Sequence, residues 1–272
     1  MIARNFIATC VPKYIDVSWR NDTITYSLIR WMLGINYIRS IAMSFFKDAK
    51  KGREFFPNKT SDRELPSSVM KVLKNTYLAI FMGLMVMAFS GYLFSDVIRA
   101  GSFMLMIGLI VATFVLLFIT LFRAERPDGL LWYFAFMAVE GVLVGGVVSL
   151  YAESYLGAVF SAAVTTAAMF VGLSAYVIAT KKDLNHWGGY LMVSLIALII
   201  GSIIALFIGT STTMVVLSGI SAVIFSMFIM YDTSRIITST ETSYVRGAVG
   251  MSLNIINLFL DFLNIFSFFS DD

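Results

Sequence analysis

Three acidic residues lie within long apolar runs of this 272-residue chain: Glu140, Asp232 and Asp261. A charged group at the centre of a bilayer costs at least about 2.5–3.5 kcal/mol on insertion scales, so such residues usually face a protein interior or a water-filled cavity. Carboxyl groups there can bind a proton or attract a divalent cation, which predicts ion or proton chemistry. The structural alternatives are a protonated Glu140 hydrogen-bonded to a neighbouring helix and an interfacial Asp232 paired with Arg235.

Asp261 is part of a polar pattern that recurs at helical spacing. Steps of three and four residues separate its members: Gly247, Gly250, Asn254, Asn257, Asp261 and Asn264. Positions with this spacing share one face of an α-helix, and the residues between them are mainly apolar. A polar face of this kind does not face lipid. We expect it either to line a polar pathway or to bond neighbouring helices through its asparagines.

The elements that position these residues are transmembrane helices. The chain is 58% hydrophobic and 14% charged, whereas soluble domains carry about 25% charged residues. Its apolar residues form runs of about 20, the length of a helix that crosses a hydrocarbon core of about 30 Å. One cysteine, one histidine and a net charge of +3 disfavour a disulfide, a zinc site, a histidine-based triad and nucleic-acid binding. We expect a membrane protein that is not an enzyme and has no cofactor. The sequence does not indicate which residues would bind a metal ion.

Seven spans are predicted, which gives an all-α membrane protein with the lipid bilayer as its main partner. They cover residues 75–94, 101–122, 129–151, 156–180, 188–208, 213–236 and 247–269. Lysine and arginine are concentrated in the N-terminal segment and in alternate connections, so the positive-inside rule predicts a cytoplasmic N-terminus. Gly141, Gly145 and Gly146 follow Glu140 and predict close packing of the third span against another helix.

Residues 1–66 form an N-terminal extension ahead of a membrane domain that covers residues 67–272. Apolar residues recur at three- and four-residue spacing between residues 24 and 45, which predicts an amphipathic helix. This helix could lie on the membrane surface or pack on the protein's own loops. The charge rule places the whole extension in the cytoplasm, where it would suit partner binding.

Several segments of the membrane domain resemble the bacterial branch of the Bax inhibitor-1 family. They are Leu73–Tyr77, Phe170–Tyr176, Thr180–Leu184, Gly188–Gly189, Met230–Ile237 and Leu253–Leu260. The likeness extends over residues 67–269. It implies a bundle of seven helices around a central seventh helix, and a passive, pH-sensitive leak for cations, with Ca²⁺ as the transported ion.

The resemblance also implies a gate in which aspartates of the sixth and seventh helices share a proton, assisted by an arginine after the second helix. Asp232 matches the first aspartate, and Arg123 matches the arginine. Asn254 stands where the second aspartate is usual, and an amide cannot ionise. Asp261 lies seven residues further on, about 10 Å along the helix. The resemblance thus adds Asn254 and Arg123 to the three acids within the apolar runs. The candidate residues for ion conduction and pH sensing are Asp232, Asn254, Asp261, Glu140 and Arg123.

Some bacterial relatives that lack this aspartate resemble a branch that restrains a quality-control protease of the inner membrane by association. The alternative function is therefore a modulator of a membrane protease or stress response that does not conduct ions, located in the inner membrane if the source is bacterial. Intramembrane proteolysis, a third class, is disfavoured. Tyr231-Asp232 lacks a second aspartate in a Gly-x-Gly-Asp setting, and the sole histidine, His186, lies in a loop away from Ser174.

Overall fold

A computed structural model describes residues 65–100 and 103–270 of the chain. The predicted amphipathic helix and linker of the N-terminal extension lie outside these residues. Six α-helices and one short 3₁₀ helix make up the described part. Their bounds are α1 Ser67–Ala100, α2 Phe103–Arg123, α3 Gly129–Thr180, the 3₁₀ helix Asn185–Trp187, α4 Gly188–Ile208, α5 Ser211–Ile237 and α6 Tyr244–Phe269.

The ends of the helices are set by local chemistry. Thr210 and Ser243 each accept a hydrogen bond from a backbone N–H three residues on, which caps α5 and α6. Lys181 adopts a left-handed conformation, with φ of 50°, and its N–H bonds to the carbonyl of Val177 at the end of α3. These caps place short polar turns between long apolar helices.

All six helices are long and apolar enough to cross a membrane. The part of the chain that the structure describes is therefore all-helical with several candidate spans, as predicted, but a count of seven is not confirmed. The third and fourth predicted spans, 129–151 and 156–180, form one helix of 52 residues whose backbone leaves helical geometry at Tyr155, with φ of −134° and ψ of 48°. The predicted bounds left a connection at residues 152–155, and the structure has a kink there instead.

The contacts of α1 show that α3 turns back on itself at this kink. Gly145 packs against Gly91, whereas the ring of Phe170 lies 5.5 Å from that of Tyr77, near the start of α1. In a straight helix Phe170 would lie about 37 Å beyond Gly145. Its partner Tyr77 instead lies about 21 Å before Gly91, the partner of Gly145, along α1. The two arms of α3, residues 129–154 and 156–180, therefore run in opposite directions.

Close helix packing after Glu140 is confirmed. A Cβ atom built on Gly145 would lie 2.4 Å from the Cα of Gly91, and one on Gly141 would lie 2.3 Å from the carbonyl oxygen of Met87. No larger residue fits either position without moving the backbone. The four-residue spacing of Gly141 and Gly145 thus lets the first arm of α3 approach α1 closely.

α6 is the central helix of the bundle. In its most apolar stretch 72% of residues are buried, against 17% to 33% in the other five helices. Large apolar side chains on the other helices are exposed on the outside, among them Phe81, Phe122, Phe160 and Phe207. This distribution is typical of a membrane bundle, in which outward apolar groups contact lipid and polar groups face inward.

Candidate functional site: a polar seam along the central helix

The polar face predicted for the last helix is buried and packs against α5. We call the residues along this contact the polar seam: Ser218, Ser221 and Asp232 of α5, with Asn254, Asn257, Asp261 and Asn264 of α6. Exposure is 7% for Asp232, 0% for Asn254, 2% for Asn257 and 1% for Asp261. The prediction that this face points into the bundle is therefore confirmed.

Asp232 and Asn254 meet at one end of the seam. The Nδ2 of Asn254 donates a hydrogen bond of 2.8 Å to Oδ2 of Asp232. Gly250, one turn earlier on α6, leaves room for the carboxylate, since a Cβ there would lie 3.1 Å from the same oxygen. Because an amide donates this bond and cannot release a proton, the contact fixes Asp232 as an acceptor instead of forming a pair that shares a proton.

A chain of ion pairs extends from Asp232 to the end of the bundle. Arg235 lies 3.9 Å from Asp232 and 3.3 Å from Glu241. Glu241 also accepts from Arg246 at 3.4 Å, and Arg246 reaches Glu125 at 3.2 Å. We call the three residues Arg235, Glu241 and Arg246 the Glu241 bridge. It ties the end of α5, the turn after α5 and the start of α6 together over the polar seam.

The other end of the seam is held by a second amide. Asn264 donates a 2.7 Å hydrogen bond to the hydroxyl of Ser218. Three residues further into the bundle on each helix lie Asp261 and Ser221, at the same depth because α5 and α6 run antiparallel. Ser221 is fully buried. The seam therefore carries polar groups along most of the length of α6.

Glu140 lies outside the polar seam. Its exposure is 0%, and within the described residues neither of its carboxyl oxygens has a hydrogen-bond partner. Tyr133, seven residues earlier on the same face of α3, shares a 2.7 Å hydrogen bond with Ser252 of α6. Asn254 and Asp261 lie on the opposite side of α6 from Ser252, because they follow it by two and nine residues. The central helix thus separates Glu140 from the seam.

Arg123 makes its described contacts at the turn between α2 and α3. It donates to the carboxylate of Asp128, and its guanidinium lies 5.7 Å from the ring centre of Trp132. The hydrogen bond from Arg123 holds the pKa of Asp128, in the turn between α2 and α3, below its usual value. The cation beside Asp232 is Arg235.

Sequence analysis missed the Glu241 bridge. Arg235, Glu241 and Arg246 are close in sequence, and their alternating charges were the available signal. Glu125 precedes Arg246 by 121 residues, so only the fold brings these two together. The two residues considered for serine proteolysis lie in separate surroundings: Ser174 is 3.4 Å from the hydroxyl of Thr233, and His186 packs edge-on against Trp187.

Metal ligands are not clustered in the described part of the chain. Among residues 65–100 and 103–270, no group of three or more histidine, cysteine, aspartate or glutamate side chains could hold a metal ion. The polar seam therefore offers scattered oxygen atoms along a helix and not a compact coordination shell.

A central helix with a buried polar face, surrounded by apolar helices, defines an integral membrane protein of several spans. The model of the family described as "Inhibitor of apoptosis-promoting Bax1" matches residues 69–271. The chain belongs to the Bax inhibitor-1 family, as its motifs indicated.

Named relatives come from bacteria and from an animal. The chain is 32% identical over 218 residues to "Modulator of FtsH protease YccA" of Escherichia coli strain K12, covering 78% of this chain and 96% of the relative. It has the same identity and coverage with "Inner membrane protein YccA" of Escherichia coli O6:H1. It is 34% identical over 146 residues to "Protein lifeguard 4" of Mus musculus, covering 53% of this chain and 60% of that protein.

Proposed function

We propose that this protein modulates a membrane-bound protease of the FtsH type by association, without catalysing a reaction itself. The observation that carries this proposal is the hydrogen bond from Asn254 to Asp232, which stands where a pH-gated leak needs two carboxyl groups. The Glu241 bridge supports it further, because it covers that end of the seam with paired charges. A relative that matches along 96% of its length is named as a modulator of such a protease.

The proposed arrangement in the membrane follows from the fold. Each arm of α3 has the length of one span, so we infer seven crossings of the inner membrane. The N-terminus is then cytoplasmic by the distribution of lysine and arginine. Residues 1–66 would lie on the same side as the cytoplasmic part of the protease and would provide a contact separate from the helices.

The test is a protease assay in proteoliposomes that contain an FtsH-type protease and a membrane substrate. Full-length protein should slow or redirect degradation, and it should copurify with the protease. A chain that begins at Pro66 serves as the matched control, because α1 begins one residue later, at Ser67. We expect it to stay folded and to lose most of the association. Equal degradation rates with and without the full chain would contradict the proposal.

A second candidate function is a passive cation leak, and the length of the polar seam favours it. Asp261, Asn257 and Asn264 place polar atoms along the central helix beyond Asp232. Calcium entry into liposomes should be measured at about pH 6, 7 and 8 for wild type and for Asn254→Asp. The substitution places a second carboxyl group beside Asp232, and two close carboxyl groups retain one proton between them.

We expect little flux through the wild type and a pH-dependent flux through Asn254→Asp. That result would mean the bundle can conduct but that Asn254 has removed its proton-sensitive gate. Strong pH-dependent flux through the wild type would instead favour the leak as the main function. In that case Asp261→Asn, which alters the seam without changing Asp232, should reduce the calcium flux.

A further inference from the structure

Glu140 is a buried acid that the functions proposed above do not use. It lies eleven residues into α3, about 17 Å from the start of the helix, and it is completely buried. Both carboxyl oxygens lack a hydrogen-bond partner within the part of the chain that the structure describes. A buried polar group in this condition destabilises the fold, and an unpaired buried charge does so more strongly. Such a residue needs an explanation beyond packing.

The side of α6 that lies level with Glu140 is apolar. Ala124 contacts Ser243 and, nine residues further along both segments, Tyr133 contacts Ser252, so the first arm of α3 and α6 run in the same direction. Seven more residues bring Glu140 level with Phe259. The side chains on that side of α6 include Ile256 and Leu263, both buried and apolar.

Among the described side chains, charged groups on the surrounding helices are distant from this position. On α1, Glu140 is level with Met87 and Ser90, which approach Gly141, so Lys74 is about 20 Å away along the helix. On α2 the charged residue is Arg123, at the end of the helix near the start of α3. On α6, Arg246 lies about 20 Å back along the helix from Phe259.

Among the described side chains, the remaining charged residues are on the far side of α6 or at helix ends. Tyr92 of α1 is 82% exposed, and Tyr151 lies eleven residues from Glu140 on α3. Asp232, Arg235 and Asp261 belong to the contact between α5 and α6. On α3 itself, Asp128 and Glu153 lie twelve and thirteen residues from Glu140, and Tyr133 is bonded to Ser252. Among the described side chains, therefore, no cation stands level with Glu140 to balance a negative charge.

We propose that Glu140 is a proton-binding site, separate from the polar seam, whose proton holds α3 against the apolar side of α6. The neutral acid is compatible with the apolar side of α6 beside it. Loss of the proton leaves a carboxylate with no described counter-charge, which weakens the packing of the first arm of α3 on the central helix. The ligand of the site is thus the proton itself, and its release loosens one half of the bundle while the Asp232 end stays closed.

The first measurement is labelling of purified full-length protein in lipid nanodiscs with dicyclohexylcarbodiimide, which enters apolar regions. The carboxyl oxygen of a protonated acid bonds to the carbodiimide carbon and its proton moves to nitrogen. The adduct then rearranges to a stable N-acylurea without loss of atoms. Mass spectrometry of peptides locates the label. We expect it on Glu140 in wild type and in Asp261→Asn, and we expect labelling to fall as the pH rises from about 6 to about 9.

The second measurement is the unfolding temperature over the same pH range. Wild type should lose stability relative to Glu140→Gln as the pH rises, because the amide keeps the shape of the acid and cannot ionise. Labelling that is absent from Glu140, or present but independent of pH, would overturn the proposal. So would a constant difference in unfolding temperature between the two proteins. If Glu140→Gln does not fold, the pH dependence of wild-type labelling decides alone.

Discussion

Replacing Glu241 by glutamine tests whether the Glu241 bridge holds the end of the bundle closed. The Glu241 side chain is 5% exposed and accepts from Arg235 at 3.3 Å and from Arg246 at 3.4 Å. It also accepts the N–H of Ser243 at 3.0 Å. Removing one partner of a buried ion pair costs about 3–5 kcal/mol, because the other charge is left buried. Glutamine keeps one acceptor oxygen, so we expect Glu241→Gln to lower the free energy of unfolding by about 2–3 kcal/mol.

The matched control is Glu125→Gln. Glu125 contacts the same Arg246 at 3.2 Å, but its side chain is 64% exposed, and an exposed ion pair contributes less than about 1 kcal/mol. Thermal unfolding in nanodiscs at pH 7 should therefore show a large fall in melting temperature for Glu241→Gln and a small one for Glu125→Gln. Equal effects of the two substitutions would refute the reasoning, since burial is the main difference between them.

Two further predictions concern packing and pH. Gly145→Ala places a Cβ 2.4 Å from the Cα of Gly91 and should destabilise the bundle by about 1–3 kcal/mol. Gly108→Ala is the control, because Gly108 has open space around it, and it should be neutral or stabilising by up to about 1 kcal/mol. If denaturation shows Gly108→Ala to be less stable than Gly145→Ala, the close α1–α3 contact is refuted. Because Arg123 lowers the pKa of Asp128, the Asp128 carboxylate stabilises the fold above the usual aspartate value of about 3.9. Asp128→Asn should destabilise the protein at pH 7, and this difference should disappear as acid titrates Asp128 in wild type.

Much of the fold could be predicted from hydrophobic patterning. Apolar runs of about 20 residues mark the helices because a helix must match the thickness of the hydrocarbon core. The stripe from Gly247 to Asn264 marked the face of α6 that turns inward, because polar groups avoid lipid. The kink at Tyr155 could not be predicted. A short loop between two helices and a kink in one helix differ there only in the backbone angles of one residue.

The candidate site was only partly accessible from sequence. The motif around Asp232 and its relation to Asn254 could be found because both lie in segments that resemble the family. The position of Glu140 relative to Asp261 could not be found from the sequence, because both are acids within apolar runs. Only the contact between Tyr133 and Ser252 shows on which side of α6 each residue lies. Long-range ion pairs such as Arg246 with Glu125 leave no periodic signal in either segment.

The central position of α6 has a consequence for how the protein is made. A ribosome synthesises α6 only after α1, α2, α3 and α5, the described helices that pack against it. Those helices therefore enter the membrane before the element between them is available. During that interval Ser218, Ser221 and Asp232 on α5 have no partner from α6. The nascent helices therefore lack their central packing partner until α6 is made. The length of this interval depends on the time that translation takes to cover residues 244–269.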